Sequence, residues 1–192
     1  MSYNLYLLIG FIGVILVVEL VNSLLNHSLN AFGLVPRTAG GLVGVPLSPF
    51  LHGSYAHVQS NSVGLLALGC LAVMRSGSRF PWVCAIIIVT GGLGLWVVGR
   101  SATHVGASGL VFGLFGYLVV KGLLDRSILS VLAAAVVCGV FGWGILSGVL
   151  PGNEYVSWEG HLCGLAAGVL AAIITRERRA ASRPRDVPSP GI

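Results

Sequence analysis

Six stretches of this chain are too apolar and too long to be anything but membrane-spanning helices: about 5–25, 55–74, 81–98, 106–121, 127–149 and 158–175. A hydrocarbon core roughly 30 Å thick takes about 20 residues of helix, and each stretch comes near that length. Lipid offers no partner to backbone N–H and C=O groups, so a lone segment must satisfy its own hydrogen bonds by winding into a helix. The roughly ten-residue polar/apolar alternation of a membrane barrel is missing. Charged residues make up 9% of the chain, against about 25% in soluble domains, and the mean hydropathy is +0.92. The sequence therefore predicts an all-α polytopic membrane protein, a six-transmembrane-helix bundle over 1–175 with no room for an extramembrane domain.

The first stretch lacks a basic leader and a small-residue cleavage site, so it reads as a retained span. Cys70, Cys84, Cys138 and Cys163 all lie inside apolar runs, which argues against a disulfide framework. Between the first two runs, Asn26 to Phe50 is rich in Gly and Pro yet apolar, and is expected to rest at the bilayer interface. Residues 176–192, with their Arg, Pro and Ser, read as a basic, disordered tail. With the N-terminus inside, nine basic residues (Arg75, Arg79, Lys121, Arg126, Arg176, Arg178, Arg179, Arg183 and Arg185) fall on the inner face, and Arg37 and Arg100 fall outside. Both termini are accordingly placed in the cytoplasm. The net charge of +5 reports this topology and contact with anionic lipid, and no nucleic-acid partner is inferred from it.

Under that topology the second, fourth and sixth runs all start near the outer face, where their polar residues coincide: His52, His57 and Asn61, then Ser108, then His161. Polar groups at membrane depth are costly and suggest function. His57 and Asn61 are four apart and share one helical face. Gly109 and Gly113 on the fourth run, and Gly160, Gly164 and Gly168 on the sixth, form small-residue stripes that let two backbones approach closely. Ser108 adjoins Gly109 and His161 adjoins Gly160, so a seam between the stripes brings a hydroxyl to an imidazole, the nucleophile and base of acyl transfer. The fourth run spans roughly 24 Å, short of the hydrocarbon core, which recesses Ser108 below the surface. The polar approach Arg100–His104 must then line a cavity that admits water. Backbone N–H groups at the start of the fourth helix, with His57 and Asn61, are candidate donors to an oxyanion.

Glu159 lies about 200° around the helix from His161, and Glu19 sits deep in the first run, so a Ser-His dyad fits better than a triad. The bland readings are a small residue at a packing seam for Ser108, polar glue for His161, a loop brace for His52, and ordinary interfacial histidines for His27 and His104. A zinc-helix signature is absent, so no metal or other cofactor is expected.

The set of His52, His57 and Asn61, then Gly106-Ala107-Ser108-Gly109, then Gly160-His161-Leu162-Cys163-Gly164 with Gly168 resembles the rhomboid family of intramembrane serine proteases. The resemblance covers the chain after about residue 35. It implies a rhomboid-like six-helix core, Ser108 as nucleophile, His161 as base, and His57 with Asn61 as oxyanion donors. Gly106, Gly109, Phe112 and His52 have supporting places, Phe112 by packing on the catalytic imidazole. It implies a serine endopeptidase of the bacterial plasma membrane, acting on transmembrane protein substrates from a site open to the outer face. The other class is an inactive rhomboid-like protein that binds transmembrane helices. One departure is Val43-Gly44, which stands about where many members carry a Trp-Arg pair, so the first loop is expected to be anchored differently.

Overall fold

The computed structural model describes residues 2–125, 127–152 and 156–176. Six long helices follow in order: α1 (Ser2–Leu24), α3 (Tyr55–Ser76), α4 (Phe80–Val98), α5 (Ser108–Leu124), α6 (Ile128–Gly148) and α7 (Trp158–Ile174). The first loop carries the single-turn α2 (Gly44–Leu47) and short 3-10 turns. No strand forms among the described residues; the sole extended pairing there is an isolated antiparallel bridge between Leu34 and His104. Tyr3–Leu24, Tyr55–Val98 and Ile128–Gly148 are long and apolar enough to cross a membrane, the second of these holding both α3 and α4. The protein is a polytopic helical bundle integral to the membrane. Most of the proposed basic tail, 177–192, lies outside the described residues, as does Arg126.

α5 is the axis of the bundle. Its buried residues, among them Leu110, Phe112, Leu114, Phe115, Tyr117 and Leu118, point all round the helix, because α3, α4, α6 and α7 all pack on it. The tightest of these contacts is with α7, where glycine meets main chain. A Cβ on Gly164 would overlap the Gly109 carbonyl, and one on Gly168 the Gly113 carbonyl, so neither position admits a side chain. Peripheral helices turn their large apolar residues outward, as Trp143 of α6 does at 80% exposure. A bundle dissolved in lipid needs that surface, whereas water would disfavour it.

Polar side chains fix the ends. Ser54, Ser127 and Ser157 cap α3, α6 and α7 by accepting N–H bonds from His57, Ser130 and Gly160. At the end far from Ser108, Asp125 accepts from Arg75 (2.6 Å) and Lys121 (2.5 Å), and Asn4 of α1 donates to the Gly77 carbonyl.

The first loop is tied to the start of the α4–α5 connection. Arg37 donates to the carbonyls of Val97 and Gly99, and the indole N–H of Trp96 donates to the Thr38 carbonyl. Gly44 lies so close to Leu34 that a Cβ would overlap its backbone. An arginine and a tryptophan from other positions thus hold the loop around Val43-Gly44.

Candidate active site

α5 begins at Ser108, two residues later than the apolar run suggested. The reason is Gly106, whose φ of +119° breaks the helical path and is open only to glycine. A Cβ there would also run into the His57 ring and come within 3.3 Å of Asn61 Nδ2. The Gly106 N–H donates to the Ser48 carbonyl at 2.9 Å, which ties this turn to the first loop. Ser108 therefore stands at the helix N-terminus, where the first N–H groups lack intrahelical partners.

The contact between α5 and α7 sets Ser108 Oγ 2.9 Å from His161 Nε2. The other ring nitrogen, Nδ1, lies 2.8 Å from the carbonyl oxygen of Gly148, the last residue of α6. A carbonyl only accepts, so Nδ1 carries the proton, and the Nε2 lone pair faces the serine hydroxyl. Phe112, one turn after Ser108, stacks on the imidazole with centroids 4.0 Å apart and planes 12° from parallel. Where a triad has a carboxylate, this site has the orphan carbonyl of a helix C-terminus. Glu159 is turned away toward Arg100, 3.9 Å distant.

Three polar side chains gather on the other side of Gly106. The Asn61 amide nitrogen is buried without a hydrogen-bond partner, a spare donor at this turn. The rings of His52 and His57 meet edge to face, centroids 5.0 Å apart. His52 is completely buried, and its Nε2 faces the Ala107 N–H at 3.5 Å. Burial first, and then the neighbouring His57, lower the His52 pKa to about 4, so the ring is neutral at physiological pH. Its carbonyl accepts from both Asn22 of α1 (3.2 Å) and Asn30 of the 3-10 turn that follows (3.0 Å), a double clamp. Beside Ser108 lies a cavity of about 50 Å³, its polar lining supplied by Ser48, His104, Ser108 and Ser157. At roughly 15 Å³ per water it admits about three. No group of His, Cys, Asp and Glu able to hold a metal occurs among the described residues.

A family model for the rhomboid domain matches residues 39–178, which is most of the chain and includes His52, His57, Asn61, Ser108, Phe112, Gly148 and His161, though not Asn22 and Asn30. The chain belongs to the rhomboid family. Uncharacterized proteins of Mycobacterium tuberculosis and Mycobacterium bovis are 39% identical over 188 residues, covering 93% of this chain and 78% of their own length. YdcA of Bacillus subtilis, whose provisional name is rhomboid protease, is 26% identical over 131 residues, 67% of this chain and 65% of its own.

Several parts of this rhomboid site have no counterpart in the sequence reading. The Gly148 carbonyl is one, and the Asn22 and Asn30 clamp on the His52 carbonyl is another. His104 requires a correction. It is a buried residue rather than an interfacial one, with Nδ1 2.7 Å from Ser157 Oγ and Nε2 3.1 Å from the Arg100 carbonyl. It thus joins the α4–α5 connection to the cap of α7. His27 pairs with the buried Glu19 at 3.2 Å, and Ser101, Ala102 and Thr103 are exposed.

Proposed function

We propose that the chain is an intramembrane serine endopeptidase that hydrolyses peptide bonds in or beside the transmembrane segments of other membrane proteins. The observation that carries this reading is the hydroxyl of Ser108 2.9 Å from an imidazole nitrogen whose partner nitrogen is locked by a main-chain acceptor. An ordinary serine hydroxyl is a poor nucleophile; an adjacent base changes that. His161 Nε2 takes the proton as Ser108 Oγ attacks the scissile carbonyl, then returns it to the leaving amine as the C–N bond breaks. The resulting acyl-enzyme is hydrolysed by a water that His161 deprotonates in turn. While His161 is protonated, the negative end of the α6 dipole and the Gly148 carbonyl favour its positive charge. The oxyanion is met by Asn61, His57 and the N–H groups at the start of α5.

A helical substrate hides its carbonyls in its own hydrogen bonds, so segments locally loosened by Gly, Pro or polar residues are preferred. The uneven distribution of basic residues along the sequence supports a reading with both termini in the cytoplasm of a bacterial cell and the dyad opening outward. The test is cleavage of a model transmembrane substrate by the purified chain in detergent. Native protein should cut it and Ser108→Ala should not, with the fold of the variant verified by its circular dichroism. A native chain that leaves every such substrate intact, yet binds it, supports the helix-binding class instead.

A further inference from the structure

His161 stands in the first turn of α7, at the end of the seam with α5. The glycines of that seam let the backbones close up but carry no side chain to lock one helix along or about the axis of the other. The aim of His161 therefore depends also on how the start of α7 is held. The holder is the α4–α5 connection, the same segment that leads into Ser108. Arg100 donates to the Val156 carbonyl at 2.7 Å, one residue before the cap of α7. His104, itself buried, reaches the cap: its Nδ1 lies 2.7 Å from Ser157 Oγ, and its Nε2 lies 3.1 Å from the Arg100 carbonyl. Burial lowers the His104 pKa from its usual value, so the ring is neutral and carries one proton. A carbonyl only accepts, so that proton sits on Nε2, and Nδ1 accepts from the Ser157 hydroxyl. Ser157 Oγ in turn accepts the N–H of Gly160, the neighbour of His161, at 3.2 Å. The other end of this relay is anchored, because the main chain of His104 pairs with Leu34 in both directions, at 2.9 and 2.8 Å.

We infer that His104 is a positioning residue of the dyad, a role that rests on the chain being a serine endopeptidase: it orients the Ser157 hydroxyl and thereby holds the first turn of α7 where His161 Nε2 meets Ser108. It acts through Ser157 and the backbone of α7, not on the reacting atoms. Without an acceptor at Nδ1 the Ser157 hydroxyl is free to rotate, and the Gly160 N–H loses a fixed partner. The turn that carries the imidazole then gains freedom, and a misplacement of about 1 Å between reacting groups can lower a rate about 100-fold. A residue that only filled space would be replaced without such a loss by a ring of similar size.

The test compares the full chain in detergent with variants that separate the two hydrogen bonds of the ring. His104→Phe keeps a ring and loses both bonds. His104→Gln can still reach the Arg100 carbonyl, whereas His104→Asn sets an amide oxygen about where Nδ1 stands and can still accept from Ser157. Steady-state cleavage of a model transmembrane substrate gives kcat and KM. Hydrogen exchange followed by mass spectrometry reads the amides of 157–164 and needs no catalysis. In His104→Phe and His104→Gln, kcat should fall about 10- to 100-fold with KM within about two-fold. Exchange in the first turn of α7 should quicken about five-fold in both, as for the loss of one helix cap. His104→Asn should recover most of both losses. Combining His104→Phe with Ser157→Ala should cost no more than the worse of the two single changes, since both break one relay. Native kcat or native exchange in His104→Phe overturns the inference, and so does a His104→Asn chain no better than His104→Gln. If His104→Phe does not fold, the comparison of Gln with Asn decides by itself. A native chain that cleaves no substrate overturns the protease reading instead, and the exchange rates alone then decide whether His104 holds the turn.

Discussion

The position of Gly148 makes a demanding test of the dyad geometry. A Cβ added there would overlap Phe112 Cζ, lie 3.0 Å from Phe112 Cε1, and approach His161 Nδ1 at 3.2 Å. To restore ordinary carbon contacts of about 3.5–4.0 Å, the phenyl ring must retreat by about an ångström or more, or the carbonyl must swing away from the imidazole. Either movement disturbs the stack, an interaction of about 0.5–1.5 kcal/mol, and the orientation of Nε2 toward Ser108. A misplacement of about 1 Å can lower the rate about 100-fold, so Gly148→Ala should reduce kcat roughly 10- to 100-fold. KM should stay within about two-fold, since the substituted atom faces the dyad rather than the substrate. Overpacking of this kind costs about 1–3 kcal/mol of stability, which leaves the bundle folded. Steady-state cleavage of a model substrate reads kcat, and thermal unfolding in the same detergent reads stability. Phe112→Leu removes the obstructing ring edge, so the double variant should lose less than the sum of the two single losses. A Gly148→Ala enzyme that turns over at the native rate would refute the reasoning, because the carbonyl and the ring would then have no part in aiming His161.

Three further outcomes follow from the same geometry. Ser108 should react with a mechanism-based serine reagent at a rate that collapses in His161→Ala, measured as covalent adduct by intact-mass spectrometry; labelling at the native rate would remove the base. Asn61→Ala and His57→Ala should each lower kcat, by up to about 100-fold, with KM little changed, and the double variant should be non-additive; unimpaired turnover in it would return both side chains to packing. His52 is held neutral in the fold with its pKa lowered to about 4, so the unfolded chain binds its proton first as pH falls below about 6.5. The contribution is fully present above that pH and is lost between about 6.5 and 4, so thermal stability should decline across this window and His52→Gln should flatten the decline; an unchanged slope would show that His52 does not carry it.

What could be read from the sequence follows from where the physics is local. Lipid leaves a lone apolar segment one backbone solution, so the helices announce themselves in composition. The glycine stripes are legible for a related reason: Gly109, Gly113, Gly164 and Gly168 sit at spacings that only close approach explains. The ring partner of His161 is invisible, because every residue has a carbonyl and nothing in the letters marks the one at Gly148. The same holds for the anchoring of the first loop, where Arg37 reaches Val97 and Gly99 about 60 residues away. His104 misled because a histidine next to an apolar run looks wet, while its burial depends on Ser157, a residue of a distant cap. The start of α5 was displaced because hydropathy does not report φ at Gly106.

The contact of α5 with α7 is made by main-chain atoms, and a main chain has no rotamers. Gly164 and Gly168 rest against the carbonyls of Gly109 and Gly113, so the distance between the two helices is limited by hard atoms rather than by side chains that can repack. Ser108 and His161 each stand next to a glycine of this seam and share its stiffness. A dyad held in that way is already assembled before any substrate arrives, and the arriving chain contributes no ordering energy to it. Selectivity for one substrate over another therefore falls on the steps that precede chemistry: entry into the bundle, and exposure of a carbonyl from a helix that must first come apart.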